Sequence, residues 1–129
     1  MEWQAIKGTE KISAVVPDDY IDKLLEVLAP TAVAIDPYRD STVPYDNLND
    51  IITALETAMN ARRQILDHQL KRQFKQQFKQ QHLRELPAWS EPARTSLYQK
   101  DAFLQTLSKL LDVCHFSHQH RCALNLLGQ

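Results

Sequence analysis

The longest helical pattern of the chain decides its fold, and it reads DNLNDIITALETAMNARRQILDHQLKRQFKQQF over residues 46–78. No helix breaker occurs between Asp46 and Leu86, so one helix of about 60 Å is possible. A single domain of this size is only about 30 Å across. We therefore expect either a break near 61–68 or a projecting helical arm over about 62–86. The apolar positions recur at the spacing of one helix face, at Leu48, Ile51, Ile52, Leu55, Met59, Leu66, Leu70, Phe74 and Phe78.

Two further helices are predicted from the same spacing. The first spans 18–29 and ends at Pro30, and Asp18 or Asp19 can cap its start. The second spans 96–117. Their apolar faces are formed by Ile21, Leu24, Leu25 and Leu28 in the first helix, and by Phe103, Leu107, Leu110, Leu111 and Cys114 in the second.

Two short segments are predicted to be strands. Residues 31–37 (TAVAIDP) are largely apolar and rich in β-branched side chains. The tail alternates Cys122, Leu124 and Leu126 at period two, and the strand at 31–37 is its obvious partner. Residues 37–45 and 87–95 are predicted loops. The expected class is mainly α with a small β-sheet (α+β), in which helices pack on a short two-stranded or few-stranded sheet.

The composition is that of an ordinary globular domain. Its 129 residues are 43% hydrophobic and 24% charged, which excludes disordered and collagenous proteins. No stretch approaches the roughly 20 apolar residues of a membrane-spanning helix. The N-terminus has no apolar signal core, and Cys114 and Cys122 make no disulfide framework. We expect a cytoplasmic protein with a single domain over 1–129 and no membrane association.

The net charge of −1 hides two halves of opposite charge. Residues 1–60 carry 11 acidic and four basic side chains, a net charge of −7. Residues 61–129 carry 11 basic and five acidic side chains, a net charge of +6. An asymmetry of this kind points to a charged partner.

The basic segment RRQILDHQLKRQFKQQFKQQHLR (62–84) has two interpretations. Clustered Lys and Arg are typical of surfaces that bind nucleic acid, and Phe74 and Phe78 could stack on bases. Both phenylalanines also continue the stripe of Leu66 and Leu70, which favours core or partner-helix contacts beneath a solvated face.

The run CHFSHQHRC (114–122) holds five potential metal ligands in nine residues. On a helix, Cys114 and Cys122 would lie about 12 Å apart, whereas zinc needs four ligands at about 2.0–2.3 Å. Cys114 also continues an apolar stripe, where a free cysteine behaves as a small hydrophobe. We expect no metal and no other cofactor.

The carboxylate pairs Asp36/Asp40 and Asp46/Asp50 could suggest acid–base chemistry. The first pair falls in a proline-rich loop, where turn and capping roles are common. Asp46 is placed to cap the long helix, with Asp50 near its positive end. The sequence contains no nucleophile elbow, P-loop or HExxH motif. We therefore expect no catalytic residues and no enzyme activity.

The loop VAIDPYRDSTVPYDNLND (33–50) combines aromatic and acidic side chains, with Arg39 the only opposite charge. Tyrosines among carboxylates suit docking to a basic protein, where charge steers and aromatic rings anchor. In the competing interpretation both tyrosines pack under the loop. The predicted partner-binding residues are Asp36, Tyr38, Asp40, Tyr45, Asp46 and Asp50.

Two patches of the sequence resemble small bacterial immunity proteins, which are encoded beside polymorphic or contact-dependent-inhibition toxins. The order is IDPYRDS (35–41), then a helix, then LSKLLDVC (107–114) and LNLLG (124–128). Members carry a DP-aromatic-x-D-[ST] strand exit and end in a strand that closes with Gly-Asp. This sequence has Arg39 where glycine is usual, and Gln129 where aspartate is expected.

The resemblance implies a cytoplasmic inhibitor that binds its cognate toxin, often a nuclease, and blocks the active site. An acidic surface suits this role, because it can mimic the phosphate backbone that a nuclease binds. We expect a one-to-one complex with a basic toxin domain through the 36–50 loop and the helix after it. Charge reversal of Asp36 and Asp40 together should slow its formation, less so at high salt. The alternatives are a nucleic-acid-binding module that uses 62–84, and a helical oligomerisation or adaptor protein.

Overall fold

A computed structural model describes residues 1–31, 33, 35–80 and 91–128. The described residues confirm a mainly helical α+β fold with a small antiparallel sheet. None of the described helices is long and apolar enough to cross a membrane. In chain order the elements are β1 (Glu2–Lys7), β2 (Glu10–Val15), α1 (Asp18–Leu28), β3 (Ser41–Val43), a 3-10 turn (Tyr45–Asn47), α2 (Leu48–Gln80), α3 (Glu91–Lys100), α4 (Ala102–Gln119) and β4 (Leu124–Leu127).

The four strands form one sheet in the order β2-β1-β4-β3, and every neighbouring pair is antiparallel. β1 and β2 form a hairpin that turns at Gly8, whose φ of 61° favours glycine. β4 lies between β1 and β3, with Leu126 opposite Trp3 and Leu124 opposite Val43. The last described strand is therefore a central strand of the sheet.

The strand predicted in the tail is confirmed as β4, but the strand predicted at 31–37 is wrong. Val33 and Ile35 belong to no strand and pack, half-buried, against the core. The outer neighbour of β4 is β3, which lies inside the predicted loop 37–45. The segment resembles a strand in sequence because Val33 and Ile35 are apolar and cover the core, although neither of these two described residues joins the sheet.

One face of the sheet packs against α4, and α4 in turn packs against α2. Side chains alternate along the strands, so Trp3 and Ala5 are buried while Ile6 and Val15 are exposed on the other face. No described helix covers that second face. Because α4 lies between the sheet and α2, it is buried on more than one side, at Leu104, Thr106, Leu107, Leu110, Leu111, Val113, Cys114 and Ser117.

The helix predicted at 18–29 is confirmed as α1, and it buries Leu24 and Leu28. The prediction that an aspartate caps its start is wrong. Pro17 occupies the N-cap position and no side chain caps the helix, while Asp18 and Asp19 lie in the first turn. Both carboxylates still favour the positive end of the helix dipole there.

α2 is continuous over 33 residues, so the predicted break near 61–68 is wrong. The second half of α2 is supported by contacts with α3 and α4 and by two ion pairs to residues beyond it. Leu66 and Leu70 are buried within the described fold. Residues 81–86, which would complete the predicted arm, lie outside the described residues.

The predicted helix over 96–117 is two helices. α3 already begins at Glu91, inside the predicted loop 87–95, whose residues 87–90 are outside those described. Asp101 separates α3 from α4 and caps α4, because its side chain accepts a hydrogen bond from the Leu104 N–H at 2.9 Å. A change of direction at an N-cap needs neither glycine nor proline, so the sequence pattern does not mark it.

Candidate partner-binding surface

The acidic half of the chain presents its carboxylates to solvent. Of the 11 acidic residues in 1–60, ten are exposed and Glu2 is half-buried. Most of this charge lies on α1, on the loop before β3 and at the start of α2. The ten exposed residues are Glu10, Asp18, Asp19, Asp22, Glu26, Asp36, Asp40, Asp46, Asp50 and Glu56.

Two arginine–aspartate pairs join residues of the basic half to each other. Arg62 donates to both carboxylate oxygens of Asp101, at 3.0 and 2.6 Å, and these hydrogen bonds hold the pKa of Asp101 below its ordinary value. Arg94 donates to both oxygens of Asp67, at 3.1 and 3.0 Å. The Tyr98 hydroxyl donates to Asp67 at 2.6 Å and accepts from Arg94. In both pairs an arginine of the basic half is neutralised by an aspartate of the same half, so neither arginine neutralises a carboxylate of residues 1–60.

Among the described residues, the ion pair within the acidic half joins Arg39 to Asp36 at 3.8 Å, and both side chains are mostly exposed. Across the two halves, the described ion contact joins His120 Nε2 to Glu10 Oε2 at 3.9 Å. A histidine contributes a charge there only when it is protonated. The acidic surface therefore keeps most of its negative charge in the described fold.

The six predicted site residues form two clusters at opposite ends of β3. The end cluster is Asp36, Tyr38 and Asp40, before β3, and the helix cluster is Tyr45, Asp46 and Asp50, after it. From Asp40 to Tyr45 an extended chain covers roughly 16 Å. The clusters can contact one partner only if that partner spans this distance.

In the end cluster, two carboxylates hold the backbone. Asp36 accepts a hydrogen bond from the Tyr38 N–H at 2.9 Å, which closes the turn around Pro37. Asp40 accepts from the Gly128 N–H at 2.9 Å. Tyr38 is left 75% exposed on this braced loop. All three residues are exposed, and Tyr38 is the one that offers an aromatic ring to a partner.

Segments 35–41 and 124–128, the first and last of the segments quoted for the resemblance, meet at Gly128. A Cβ on Gly128 would overlap the backbone of Tyr38 and Arg39, so the loop lies directly on the glycine. The segments IDPYRDS and LNLLG are thus one packed unit, although some 85 residues separate them in sequence. The glycine is needed for this close approach of two backbones.

The end cluster continues onto the uncovered face of the sheet. Val15 is 63% exposed, and together with Leu127 and Asp40 it lines a shallow depression beside Gly128. Val15 and Leu127 were not among the predicted site residues. For Val15, residues 2–15 hold a usable pattern, since their side chains alternate between two faces. That pattern indicates two strands only when Gly8 is recognised as the turn of a hairpin.

In the helix cluster, Tyr45 is partly held by the fold. Its ring stacks on His118, with centroids 5.3 Å apart and planes 25° apart, and it remains 36% exposed. Asp46 and Asp50 are exposed in the first turns of the 3-10 helix and of α2. The interpretation in which both tyrosines pack under the loop therefore fits Tyr45 in part and Tyr38 not at all.

The histidine- and cysteine-rich run 114–122 covers the end of α4 and the turn after it. Burial raises the pKa of the Cys114 thiol to about 12. The Cys122 carbonyl accepts a hydrogen bond from Ser117, and the ring of His120 lies 4.3 Å from that of Phe116. Within the described residues, no three His, Cys, Asp or Glu side chains are grouped closely enough to hold a metal ion.

The basic segment 62–84 is only partly available to a partner. Leu66 and Leu70 are buried and Phe74 is half-buried, so the described part of the stripe packs within the chain. The side chain of Phe78 lies outside the described residues. Arg72 and Lys75 are exposed on the opposite side of α2.

This arrangement offers exposed carboxylates and an exposed tyrosine, and such groups can bind a cationic surface. In the described residues, these groups all belong to the acidic half of the sequence, and they form two clusters rather than one compact site. Comparison with protein-family models, curated proteins and solved structures finds no match to this chain.

Proposed function

We propose that the protein is a protein-binding inhibitor, an immunity protein that neutralises a cognate bacterial toxin by binding a cationic surface of it. The toxin class that this chemistry fits best is a nuclease, because a nuclease must attract polyanionic phosphate. The observation that carries the proposal is the exposure of ten carboxylates in 1–60, while two arginines of the other half, Arg62 and Arg94, pair with aspartates of their own half. The protein would act in the cytoplasm of the cell that makes the toxin.

The structure changes the choice of residues for the test. Asp36 and Asp40 hold backbone N–H groups, so their reversal would disturb the loop as well as the charge. Asp46 is exposed and carries no such bond within the described residues. Tyr38 is the exposed aromatic side chain of the end cluster. Asp46→Lys and Tyr38→Ala therefore test steering and anchoring separately.

The experiment needs a candidate toxin: where a gene beside that of this protein encodes a large secreted protein, the C-terminal domain of that protein is the one to test. We expect a one-to-one complex that suppresses the toxicity of this domain in a growth assay. Asp46→Lys should slow association about threefold at low salt and much less at high salt, since salt screens steering. Tyr38→Ala should speed dissociation about tenfold, as expected for an aromatic anchor.

The matched control is Asp112→Lys, which makes the same charge change on the exposed side of α4, in the other half of the chain. Its association rate should stay within about 1.5-fold of wild type. If the domain does not bind, or if Asp46→Lys and Asp112→Lys behave alike, the proposal fails.

A second candidate, a nucleic-acid-binding module, is favoured by the exposure of Arg72 and Lys75 on α2. A mobility-shift assay with duplex and single-stranded DNA at about 50 mM salt separates the two functions. Tight binding that falls steeply with salt, and that Arg72→Glu abolishes, would replace the inhibitor proposal. The inhibitor proposal expects no such binding, because the acidic half repels the phosphates.

A further inference from the structure

A groove runs between α1 and α2 on the acidic side of the molecule. It consists of two adjoining depressions of about 410 and 510 Å³, which share Val27. From Asp50 to Ile65 its wall on α2 extends about 22 Å. The lining positions repeat every three or four residues on both helices: 23, 26 and 27 on α1, and 50, 53, 54, 57, 58, 61, 62 and 65 on α2. Positions 30 and 31, just after α1, and Phe103 of α4 complete the lining.

The floor of the groove is apolar and shallow because its side chains are small. Ala54 and Ala58 are half-buried beside Val27. Because their side chains are small, they leave open space between the two helices. At one end, Ile65 is 50% exposed, which is unusual for a large apolar side chain on this helix. An apolar surface of this shape accepts the side chains of a third helix.

The net uncommitted charge in the groove is negative. Glu26 and Asp50 are exposed in its walls, and neither makes an ion pair or side-chain hydrogen bond within the described residues. Of the two described cations that line it, Arg62 is neutralised by an ion pair and Lys23 keeps its charge beside two aromatic rings, so the two carboxylates outnumber the one unpaired cation. Arg62 is bound by Asp101, and the Lys23 ammonium lies 5.7 and 5.5 Å from the rings of Tyr20 and Phe103.

We infer that the α1–α2 groove binds a cationic amphipathic helix of the partner protein. Its apolar side chains would cover Ala54, Ala58 and Ile65, and its arginines or lysines would pair with Glu26 and Asp50. About four helical turns fit the length of the groove. The inference rests on the proposed function only in naming the toxin domain as the protein that supplies this helix.

The test uses a synthetic probe that does not depend on the toxin. It is a 15-residue helical peptide with leucines on one face and two arginines beside them, compared with the same peptide carrying glutamates. Titration into ¹⁵N-labelled full-length protein should shift the amides of 23–31 and 50–65. The glutamate peptide should bind at least tenfold more weakly.

Glu26→Lys/Asp50→Lys should weaken binding of the arginine peptide at least tenfold. The control Glu56→Lys/Asp112→Lys makes the same change of charge at exposed positions that do not line the groove, and it should change affinity less than twofold. All four substitutions are at exposed side chains, so folding is preserved. Absence of binding, shifts that map elsewhere, or equal effects of the two double variants would overturn the inference.

The toxin domain separates this inference from the proposed function. If the domain binds wild type and Glu26→Lys/Asp50→Lys equally well, the groove inference fails and the inhibitor proposal stands. If the arginine peptide occupies the groove but the toxin domain does not bind at all, the groove is supported and the inhibitor proposal fails.

Discussion

Replacing Arg62 with methionine should lower the free energy of unfolding by about 2–3 kcal/mol. The change removes two charge-assisted hydrogen bonds to Asp101 and keeps most of the aliphatic stem. Each such bond contributes about 1.5–3 kcal/mol when a partner is left unpaired. Because the Arg62 side chain is 27% exposed and that of Asp101 is 12% exposed, water replaces part of what is lost.

Asp101 also caps the start of α4, and a series of variants separates this capping from the ion pair with Arg62. Asp101→Ser keeps an N-cap oxygen for the Leu104 N–H but removes the carboxylate. Asp101→Ala removes both and should be about 1 kcal/mol less stable than Asp101→Ser. In a double-mutant cycle, Arg62→Met and Asp101→Ser should show a coupling energy of about 1.5–2.5 kcal/mol. Urea unfolding followed by far-ultraviolet circular dichroism measures all five proteins.

The same pair predicts a dependence on pH. Arg62 holds the pKa of Asp101 below its ordinary value of 3.8, so the folded protein takes up the proton less readily than the unfolded chain. The stabilisation is therefore complete above about pH 4 and is lost as the pH falls through the folded pKa. Arg62→Met should flatten this part of the stability profile. A coupling energy below about 0.5 kcal/mol, or an unchanged acid profile in Arg62→Met, would refute the claim that this pair fastens α4 to α2.

Three further predictions concern single positions. Gly128→Ala should cost about 2 kcal/mol in urea unfolding, because the new Cβ overlaps the backbone of the loop at Tyr38; wild-type stability would show that the loop does not lie there. Gly8→Ala should cost about 1 kcal/mol through its positive φ alone and Gly8→Asn less, since asparagine tolerates that conformation; equal costs would contradict this. At pH 8 the buried Cys114 thiol, with a pKa near 12, should resist alkylation until the protein unfolds. Mass spectrometry should find Cys122 modified first. Early labelling of Cys114 would be inconsistent with its burial.

Periodicity in the sequence is sufficient to predict a helix or strand when one face of the element is buried and residues such as proline mark its ends. α1 meets both conditions, since its stripe of leucines is followed by Pro30. β4 alternates between buried and half-buried side chains, and it was predicted for that reason. The mainly helical class with a small sheet follows from these elements and from the long pattern of α2.

Elements whose ends depend on distant partners could not be predicted. α2 continues through 61–68, and there residues far along the chain stabilise it by pairing with Arg62 and Asp67. A length argument based on domain diameter omits those contacts. The break at Asp101 was missed for the complementary reason, since a capping aspartate looks like any surface carboxylate in sequence.

The candidate site was predicted in composition but not in arrangement. The aromatic and acidic loop contains β3, whose three residues give too short a pattern to recognise, and this strand separates the two clusters. The turn function of Asp36 and the bond from Gly128 to Asp40 become visible only when the loop is seen against β4. The α1–α2 groove likewise needs the packing of two helices, although each of its walls follows helical spacing.

The position of β4 between β1 and β3 also has a consequence for the timing of folding. Trp3 pairs with Leu126, and all four described helices lie between these two residues in sequence. Closing so long a loop carries a large entropic cost, and such distant pairing slows folding. During synthesis, the β1–β2 hairpin therefore waits with an open edge until residues 124–127 leave the ribosome. All four described helices are synthesised before β4, and in that interval a chaperone or a second hairpin could pair with the open edge of β1.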